Sequence, residues 1–397
     1  MNARSPTGSS TRGGDIPALI LGDHITALAV LRALGRRGVP TFLLGPRRDV
    51  AGRSRYAARL AGNEDLVPTD SLPAFLKRSG IEEAVLFPCS DHWLRSVAAL
   101  SSEDRQTFPS PVATSDVVET LTRKDLFARA AAMHDVPHPR TTEVRGPEDL
   151  ARVSDLDLSS SFLKPCDSQS FTRRFHMKGF RVADRQRAEE LVRRAAAAGL
   201  DLVLQEFIAA PPSAHVFLDG FVDHEGRERC ILARRRSRMF PKDLGNSTDS
   251  VTVPLREVAP AVGALRRLFQ GLGYRGLFDA EFVLDERDGV FRILEVNARP
   301  WWQLELAAAA GLDLVGMAYD DALGRAVHDA SGYRVGARWV NPIQDLRSRL
   351  SRQGREIDPP NPRDPWLRAR HGVFRWDDPA PGLAELQRLV RSAATRG

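Results

Sequence analysis

The sequence contains few cysteines and no long apolar segment. Only Cys89, Cys166 and Cys230 occur among 397 residues, and they lie far apart. An odd, scattered set builds neither a disulfide framework nor a CxxC metal pair, which predicts a reducing, cytoplasmic environment. No uncharged apolar run approaches the roughly 18 residues of a membrane helix. We therefore expect a soluble protein with no membrane partner.

Other familiar signals are absent as well. Residues 1–15 lack the apolar core of a signal peptide and are expected to form a disordered tail. The first apolar run is followed by Gly22–Thr26 without a GxGxxG fingerprint, which argues against nicotinamide binding. The nine histidines show no metal-binding spacing.

The composition is that of an ordinary globular protein. Hydrophobic residues make up 42% and charged residues 27%, and 57 Lys+Arg against 51 Asp+Glu give a net charge of +6. This small surplus suits an enzyme that acts on anionic substrates such as nucleotides. A nucleic-acid binder usually has a more concentrated basic stripe, so no nucleic-acid partner is expected.

The order of apolar runs predicts two kinds of architecture. Runs at 17–22, 39–44 and 84–87, with a helical pattern between the first two, predict parallel strands in an open α/β domain over 16–115. A helix is expected over 116–135. Beyond it the pattern changes to a mixed α+β unit. Strands are predicted at 162–164, 179–182, 202–207, 216–222 and 229–235, and helices at 257–271 and 303–310.

The most informative segment is 276–302, GLFDAEFVLDERDGVFRILEVNARPWW. Two alternating runs flank a loop that contains glycine, which predicts a β-hairpin. If Asp285 pairs with Phe291, Glu281 lies opposite Glu295. Facing Cβ atoms are then about 5 Å apart.

Two facing carboxylates repel each other by about 3 kcal/mol at an effective dielectric constant of 20. A proton, an arginine or a divalent cation must offset this repulsion. Because side chains alternate along a strand, Asn297 shares the face of Glu295. These oxygens form a set suited to Mg²⁺ that bridges phosphates. The alternative is a surface hairpin whose acidic residues face water, but Phe282 and Ile293 argue against full exposure.

Three residues after this strand complete the candidate site. Arg299 lies on the face of Asn297 if the strand continues, where its guanidinium can stabilise charge on a transferring phosphoryl group. An ion pair with either glutamate is the alternative. Trp301 and Trp302 either line a substrate pocket or belong to the core.

The hairpin and three earlier motifs, TRKDLFARAAAMHDVPHPRT, FLKP and LQEFI, resemble the ATP-grasp superfamily in order and spacing. The similarity runs over roughly 17–325, and within the superfamily it favours the carboxylate–amine ligase branch, which includes D-aspartate ligase-like proteins. It implies a pre-ATP-grasp domain at 16–115, an ATP-grasp domain at 116–330 and a small C-terminal extension at 331–397. It also implies that Glu281, Glu295 and Asn297 bind one or two Mg²⁺ ions, with Mn²⁺ as a substitute.

The resemblance assigns the ATP-binding residues too. Lys124 and Lys164 match the lysines that contact the ATP phosphates; taken alone, each is more typical of a surface charge. Four consecutive residues match the hinge that clasps adenine: Gln205, Glu206, Phe207 and Ile208. Without the context of the family, they are equally typical of the end of a core strand.

Two segments depart from the family pattern. Residues 165–180 contain one glycine, Gly179, where many ATP-grasp proteins have a glycine-rich loop over the phosphates. The segment instead has four basic residues, which form either a basic lid or an exposed turn: Arg173, Arg174, His176 and Lys178. Lys178 matches a lysine of this branch that contacts phosphate and takes part in catalysis.

The second departure is the arginine run ARRRSRMFPKDLG. Arg236 resembles a family lysine near the phosphates and is a third candidate catalytic residue beside Arg299 and Lys178. Alternation directs Arg234, Arg236 and Arg238 to one face. A solvated basic face is the alternative.

Ser90, Asp91 and His92 are further candidates, because they follow a predicted strand at the end where open α/β sheets bind ligands. They would contact the second substrate, or Ser90 and Asp91 would cap a helix.

These features favour an ATP- and Mg²⁺-dependent ligase. It would activate a small carboxylate as an acyl phosphate, join it to an amine and release ADP and phosphate. Amino-acid-like substrates are expected, and the resemblance leaves room for a homodimer. The alternatives are a phosphotransferase, a nucleotide-binding regulatory module without catalysis and, last, a nucleic-acid protein that uses 234–242.

Overall fold

A computed structural model describes residues 16–45, 49–58, 71–151, 153–167, 179–182, 184–241, 245–350 and 366–394. The predictions for the tail at 1–15 and for the basic segment that contains Lys178 lie outside these residues. None of the helices in the described ranges is both long and apolar enough to cross a membrane.

The N-terminal part is a three-stranded parallel sheet, as predicted. Strands β1 (Ala18–Leu21), β2 (Thr41–Leu44) and β3 (Val85–Pro88) are arranged in the order β2-β1-β3. Helix α1 (His24–Arg36) connects β1 to β2, and α2 (Leu72–Arg78) precedes β3. Every residue of β1 and β3 is buried because the sheet is covered on both faces.

The next helices are α3 (Asp91–Ala98), α4 (Ser102–Thr107), α5 (Ser115–Thr122) and α6 (Lys124–Met133). The single helix predicted over 116–135 is wrong, because Arg123 is extended (φ −97°, ψ 124°) and separates α5 from α6. Arg123 forms a β-bridge with Asp167, and the Lys124 N–H donates to the Cys166 carbonyl at 3.1 Å. The break therefore fixes Lys124 at the first residue of α6.

A four-stranded antiparallel sheet follows, in the order β4-β7-β5-β6. Its strands are β4 (Thr141–Val144), β5 (Ser161–Pro165), β6 (Phe180–Arg181) and β7 (Leu202–Glu206). Helices α7 (Pro147–Leu150), α8 (Asp155–Ser159) and α9 (Arg185–Ala197) accompany it, and their apolar side chains share one buried cluster with the sheet.

The largest sheet has the order β12-β11-β8-β9-β10-β13-β14 among the described residues. Its strands are β8 (His215–Val222), β9 (Glu228–Phe240), β10 (Asn246–Val253), β11 (Gly276–Asp285), β12 (Val290–Asn297), β13 (Arg338–Val340) and β14 (Arg370–His371). Helix α10 (Ala259–Leu272) packs on this sheet, and its buried apolar side chains form one cluster with those of the sheet. The sequence did not predict β10, because its buried residues include serine, threonine and aspartate and show no apolar alternation.

The remaining helices are α11 (Leu304–Ala309), α12 (Leu314–Ala322), α13 (Pro342–Leu350) and α14 (Ala380–Ala394). The C-terminal residues are tied to the N-terminal sheet through Arg32 of α1, which is fully buried. Its guanidinium donates to Asp378 Oδ2 at 3.0 Å and to the Val373 carbonyl at 2.7 Å. The domain boundaries at 115/116 and 330/331 stay predictions.

The register of the β11–β12 hairpin decides which acidic residues meet. The assumed pair of Asp285 and Phe291 is wrong, since Asp285 pairs with Val290. A register shift next to Glu281, which leaves Leu294 unpaired, adds one residue to β12 and compensates for the error. Glu281 therefore faces Glu295, as predicted.

Candidate active site

One cavity of about 1130 Å³ contains residues of the four-stranded and the seven-stranded sheets. Every predicted site residue within the described ranges lines it: Lys124, Lys164, Gln205, Glu206, Phe207, Ile208, Arg236, Glu281, Glu295, Asn297 and Arg299. Ser90, Asp91, His92, Trp301 and Trp302 line it too. Residues that are far apart in sequence thus surround a single space.

The two facing glutamates have basic partners. Glu281 Oε1 lies 2.9 Å from Arg236 Nη2 and 2.8 Å from His215 Nδ1. Burial raises the pKa of Glu281, but Arg236 and His215 outweigh it and lower the pKa to about 2. Lys124 Nζ donates to Glu295 Oε2 at 3.1 Å. Basic side chains therefore already offset the repulsion, so the prediction of a metal rests on the donor atoms instead.

The donor atoms fit a hard divalent cation. Glu281, Glu295 and Asn297 offer only oxygen from two paired strands that line one cavity. Such a set suits Mg²⁺, which prefers carboxylate and carbonyl ligands. Asp279 Oδ2 accepts from Asn297 Nδ2 at 3.1 Å and so fixes which way the amide points.

Arg299 connects Asn297 to the N-terminal sheet. Its Nη2 donates to Asn297 Oδ1 at 3.1 Å, and its Nε donates to Asp91 Oδ1 at 2.6 Å. The alternative of an ion pair with a glutamate is wrong, because the partner is Asp91. Burial raises the pKa of Asp91, and the nearby Arg299 more than reverses this. The α3 cap is Ser90, whose Oγ accepts from the Trp93 N–H at 3.4 Å.

The two lysines differ in their electrostatic surroundings. Burial lowers the pKa of Lys124, but the ion pair with Glu295 overcomes this and raises it. Lys164 Nζ donates to the neutral Gln205 Oε1 at 2.8 Å. Burial, together with the positive charge of Lys124, lowers the pKa of Lys164 to about 8. Lys164 is thus the lysine of the pair that titrates near neutral pH.

This difference predicts a pH dependence of nucleotide binding. At the predicted phosphate site a polyphosphate would bind the charged form of Lys164, so its affinity should be constant below pH 8 and fall above it, by up to about tenfold per pH unit. Calorimetric titration with a Mg²⁺-bound, non-hydrolysable ATP analogue at pH 7, 8 and 9 measures this. In Lys164→Arg the fall should disappear, because arginine stays charged. An equal fall in that variant would assign the titration to another group.

The predicted adenine hinge follows β7. The N–H groups of Glu206 and Phe207 donate to the carbonyls of Arg140 and Ser160, at 2.9 and 2.8 Å. Two of the N–H groups of the predicted hinge are therefore already used within the protein. The Glu206 carboxylate lies 2.7 Å from Arg287 Nη1, so its side chain has a partner outside the predicted adenine contact.

The arginine run alternates as predicted, and its inner face is buried, so the solvated alternative is wrong. Arg234 and Arg238 make ion pairs with buried aspartates. Arg236 is the member of the run that reaches the glutamate pair. Arg235 points the other way and pairs with Glu257 near the surface.

Three residues of the site were not predicted from the sequence. His215 and Asp279 contact Glu281 and Asn297, and Phe217 packs beneath Arg236, whose Cζ lies 5.0 Å from the ring centre. His215 and Phe217 reach the site only because β8 pairs with β11. No local pattern indicates that pairing. Trp301 is 2% exposed and lies both in the core and on the cavity wall.

The fold defines the class: the chain has the ATP-grasp fold, which confirms the predicted fold and resemblance. It is similar to D-aspartate ligase from Enterococcus faecium (strain Aus0004), with 22% identity over 249 residues. That match covers 60% of this chain and 58% of the relative, so the chain spans little more than half of that ligase. No family model matches the sequence.

Solved structures share the fold at low identity. N5-carboxyaminoimidazole ribonucleotide synthetase from Thermus thermophilus is 18% identical with a TM-score of 0.59, and 82% of each chain is covered. L-amino acid ligase from Bacillus licheniformis is 15% identical with a TM-score of 0.56, and the match covers 78% of this chain and 74% of the ligase chain. A third similar structure is the biotin carboxylase domain of Hydrogenobacter thermophilus 2-oxoglutarate carboxylase, in complex with MgADP and bicarbonate. It is 15% identical with a TM-score of 0.61, and the match covers 82% of this chain and 74% of that chain.

Proposed function

We propose that this protein is an ATP-dependent carboxylate–amine ligase. The observation that carries the proposal is the meeting of Lys124 and Lys164 with Glu281, Glu295 and Asn297 in one cavity. The lysines supply compact positive charges for a polyphosphate, and the oxygens supply a site for a hard cation. The similarity to D-aspartate ligase supports the same reaction class.

Mg²⁺ held by Glu281, Glu295 and Asn297 would supply positive charge at the phosphate oxygens. Arg236 and His215 hold the pKa of Glu281 below its usual range, which supports an ionised carboxylate that can bind a cation. The relative with bound MgADP supports this choice of nucleotide and metal. Substitution by Mn²⁺ and the role of Lys178 stay part of the proposal.

The reaction would proceed in two transfers. A carboxylate oxygen of the first substrate attacks the γ-phosphorus of ATP, the bond to the β-phosphate oxygen breaks, and ADP and an acyl phosphate form. The amine then attacks the acyl carbon, phosphate leaves with its bonding electrons, and the ammonium proton passes to solvent. No protein nucleophile is needed, because positioning and electrostatics carry such transfers.

Arg299 is proposed to stabilise the transferring group. It is held in place by Asp91 and Asn297, so its fork is oriented before substrate binds. Arg299→Lys should lower kcat by about 10²-fold, as for the loss of one donor to a developing charge, with little change in KM for ATP. Steady-state kinetics separate the two constants. A change confined to KM would instead make Arg299 a nucleotide-binding residue.

The substrates are proposed to be a small carboxylic acid and an amine of the amino-acid type. D-aspartate ligase and L-amino acid ligase support this class by their names. A cytoplasmic location, a homodimer and the three-part domain division also belong to the proposal. The binding of nucleic acid finds no support, since the basic run at 234–238 is largely buried in ion pairs.

Hydroxylamine trapping tests the activation step. The protein is incubated with ATP, Mg²⁺ and hydroxylamine against a panel of carboxylic acids, and ADP and hydroxamate are measured together. A ligase yields both in equal amounts with its own acid. ADP release with a stable phosphorylated product would identify a phosphotransferase. ATP binding without ADP release across the panel would support the regulatory alternative.

A further inference from the structure

A second cavity of about 490 Å³ lies beside β13 and β14 and shares no lining residue with the candidate active site. Nine described residues line it: Ala309, Arg334, Gly336, Ala337, Arg338, Arg368, Ala369, Arg370 and Arg375. Five of the nine are arginines, and none of these lining residues is acidic. Arginine keeps its charge at every physiological pH, so this wall is strongly positive.

The acidic residues behind this wall do not neutralise it. Arg338 Nε lies 2.8 Å from Asp249 Oδ1, but Asp249 also pairs with Arg238 of β9. Arg375 Nε lies 3.4 Å from Asp377 Oδ1, and Asp377 also pairs with an arginine at the end of α1. Each of these carboxylates is therefore shared between an arginine of the cavity and one outside it.

A third carboxylate, Glu305, lies near Arg375 and also pairs with Arg32. Its charge is therefore also shared between an arginine of the cavity and one outside it. An excess of positive charge thus remains around the cavity within the described residues.

Small residues make up the rest of the cavity lining. Its other lining residues are alanine and glycine, and a Cβ atom added at Gly336 would meet no atom within 4 Å. Arg334 Nη2 donates to the Ala309 carbonyl at 2.6 Å, at the C-terminal end of α11, which orients that side chain. Arg368 and Arg370 enter from the short helix Trp366–Arg368 and from β14.

We propose that this cavity binds a small molecule carrying a phosphate group. Planar guanidinium forks match the geometry of phosphate oxygens and bind them with strong, charge-assisted hydrogen bonds. The volume lies within the range of small-molecule sites, about 300–1,000 Å³, so the ligand extends beyond the phosphate itself. This second site is independent of the proposed ligase activity, because the two cavities share no lining residue.

Calorimetric titration with pyrophosphate tests the proposal. The protein is first saturated with Mg²⁺ and a non-hydrolysable ATP analogue, which fills the candidate active site. One further equivalent of pyrophosphate should bind, with an affinity that falls as salt is added. Arg368→Ser/Arg370→Ser should raise Kd by at least about tenfold, since each lost hydrogen bond to a charged group has an effect of that order.

The matched control is Arg187→Ser/Arg193→Ser on α9, which removes the same charge from exposed positions. Its Kd should match that of the parent protein. Equal weakening in both double variants would overturn the proposal, as would a parent protein that binds no further pyrophosphate. Citrate should bind more weakly than pyrophosphate, and equal binding would overturn the assignment to phosphate. Circular dichroism of each variant verifies that it is folded.

Discussion

Glu295→Gln is expected to abolish Mg²⁺-dependent ADP release, with a fall in kcat of more than about 10³-fold. A bound metal ion contributes several kcal/mol of charge stabilisation, and each 1.36 kcal/mol corresponds to a tenfold change in rate. Glutamine keeps the size of the side chain but removes the charge that faces Glu281. Because the Glu295 side chain is 42% exposed, the fold should be retained.

Glu286→Gln is the matched control, since it makes the same chemical change at an exposed position in the turn of the same hairpin. Its kcat should equal that of the parent protein. Titration with Mg²⁺ in the presence of a non-hydrolysable ATP analogue provides a second readout, and Glu295→Gln should need more Mg²⁺ for half-saturation. Unchanged turnover in Glu295→Gln would remove Glu295 from the metal site.

Arg234→Met is expected to lower the free energy of unfolding by about 3–5 kcal/mol. Breaking a buried ion pair leaves an uncompensated charge, and here two carboxylates lose their partner. Arg234 Nε and Nη2 lie 2.8 Å from Asp219 Oδ2 and from Asp279 Oδ1, and all three side chains are buried. Since total stabilities are about 5–15 kcal/mol, this loss is a large fraction.

The loss should depend on pH in a defined direction. Burial raises the pKa of Asp219 and Asp279 even with Arg234 present. When Arg234 is removed, the folded state holds the protons of both aspartates more tightly, whereas the unfolded chain releases these protons near pH 3.9. Stability of Arg234→Met therefore falls as pH rises above about 4, because the unfolded state then binds fewer protons than the folded state.

Arg235→Met is the control for that experiment. It removes the adjacent arginine of the same strand, whose partner Glu257 lies near the surface. Such exposed pairs contribute about 0–1 kcal/mol, so its urea midpoint should change little. If both variants lost the same stability, the buried ion-pair network would have no special role.

Much of the fold follows from local patterns. Alternation along the arginine run correctly separated Arg235 from its neighbours, and the hairpin loop placed Glu281 opposite Glu295. The register there was derived from a wrong pair, Asp285 with Phe291, and a bulge compensated for it. The bulge shifts the alternation of β12 by one position, since Ile293 and Val296 are both buried although they lie three residues apart.

The break at Arg123 shows a second limit. The helical pattern continues through 116–135, and the extended conformation of Arg123 is fixed by its bridge to Asp167, a residue far along the chain. Such a tertiary contact overrides local helix propensity. Its consequence for the site is the placement of Lys124 at the start of α6.

Strand alternation and turn composition are local properties of the chain, so they predicted the residue types of the candidate site and the strands that carry them. The contact of His215 with Glu281, the orientation of Arg299 by Asp91 and the five arginines around a second cavity emerge from the folded structure alone. The first two contacts join residues 66 and 208 positions apart. These contacts follow from the order of the strands in the sheets and from the burial of apolar faces, and both depend on the whole chain.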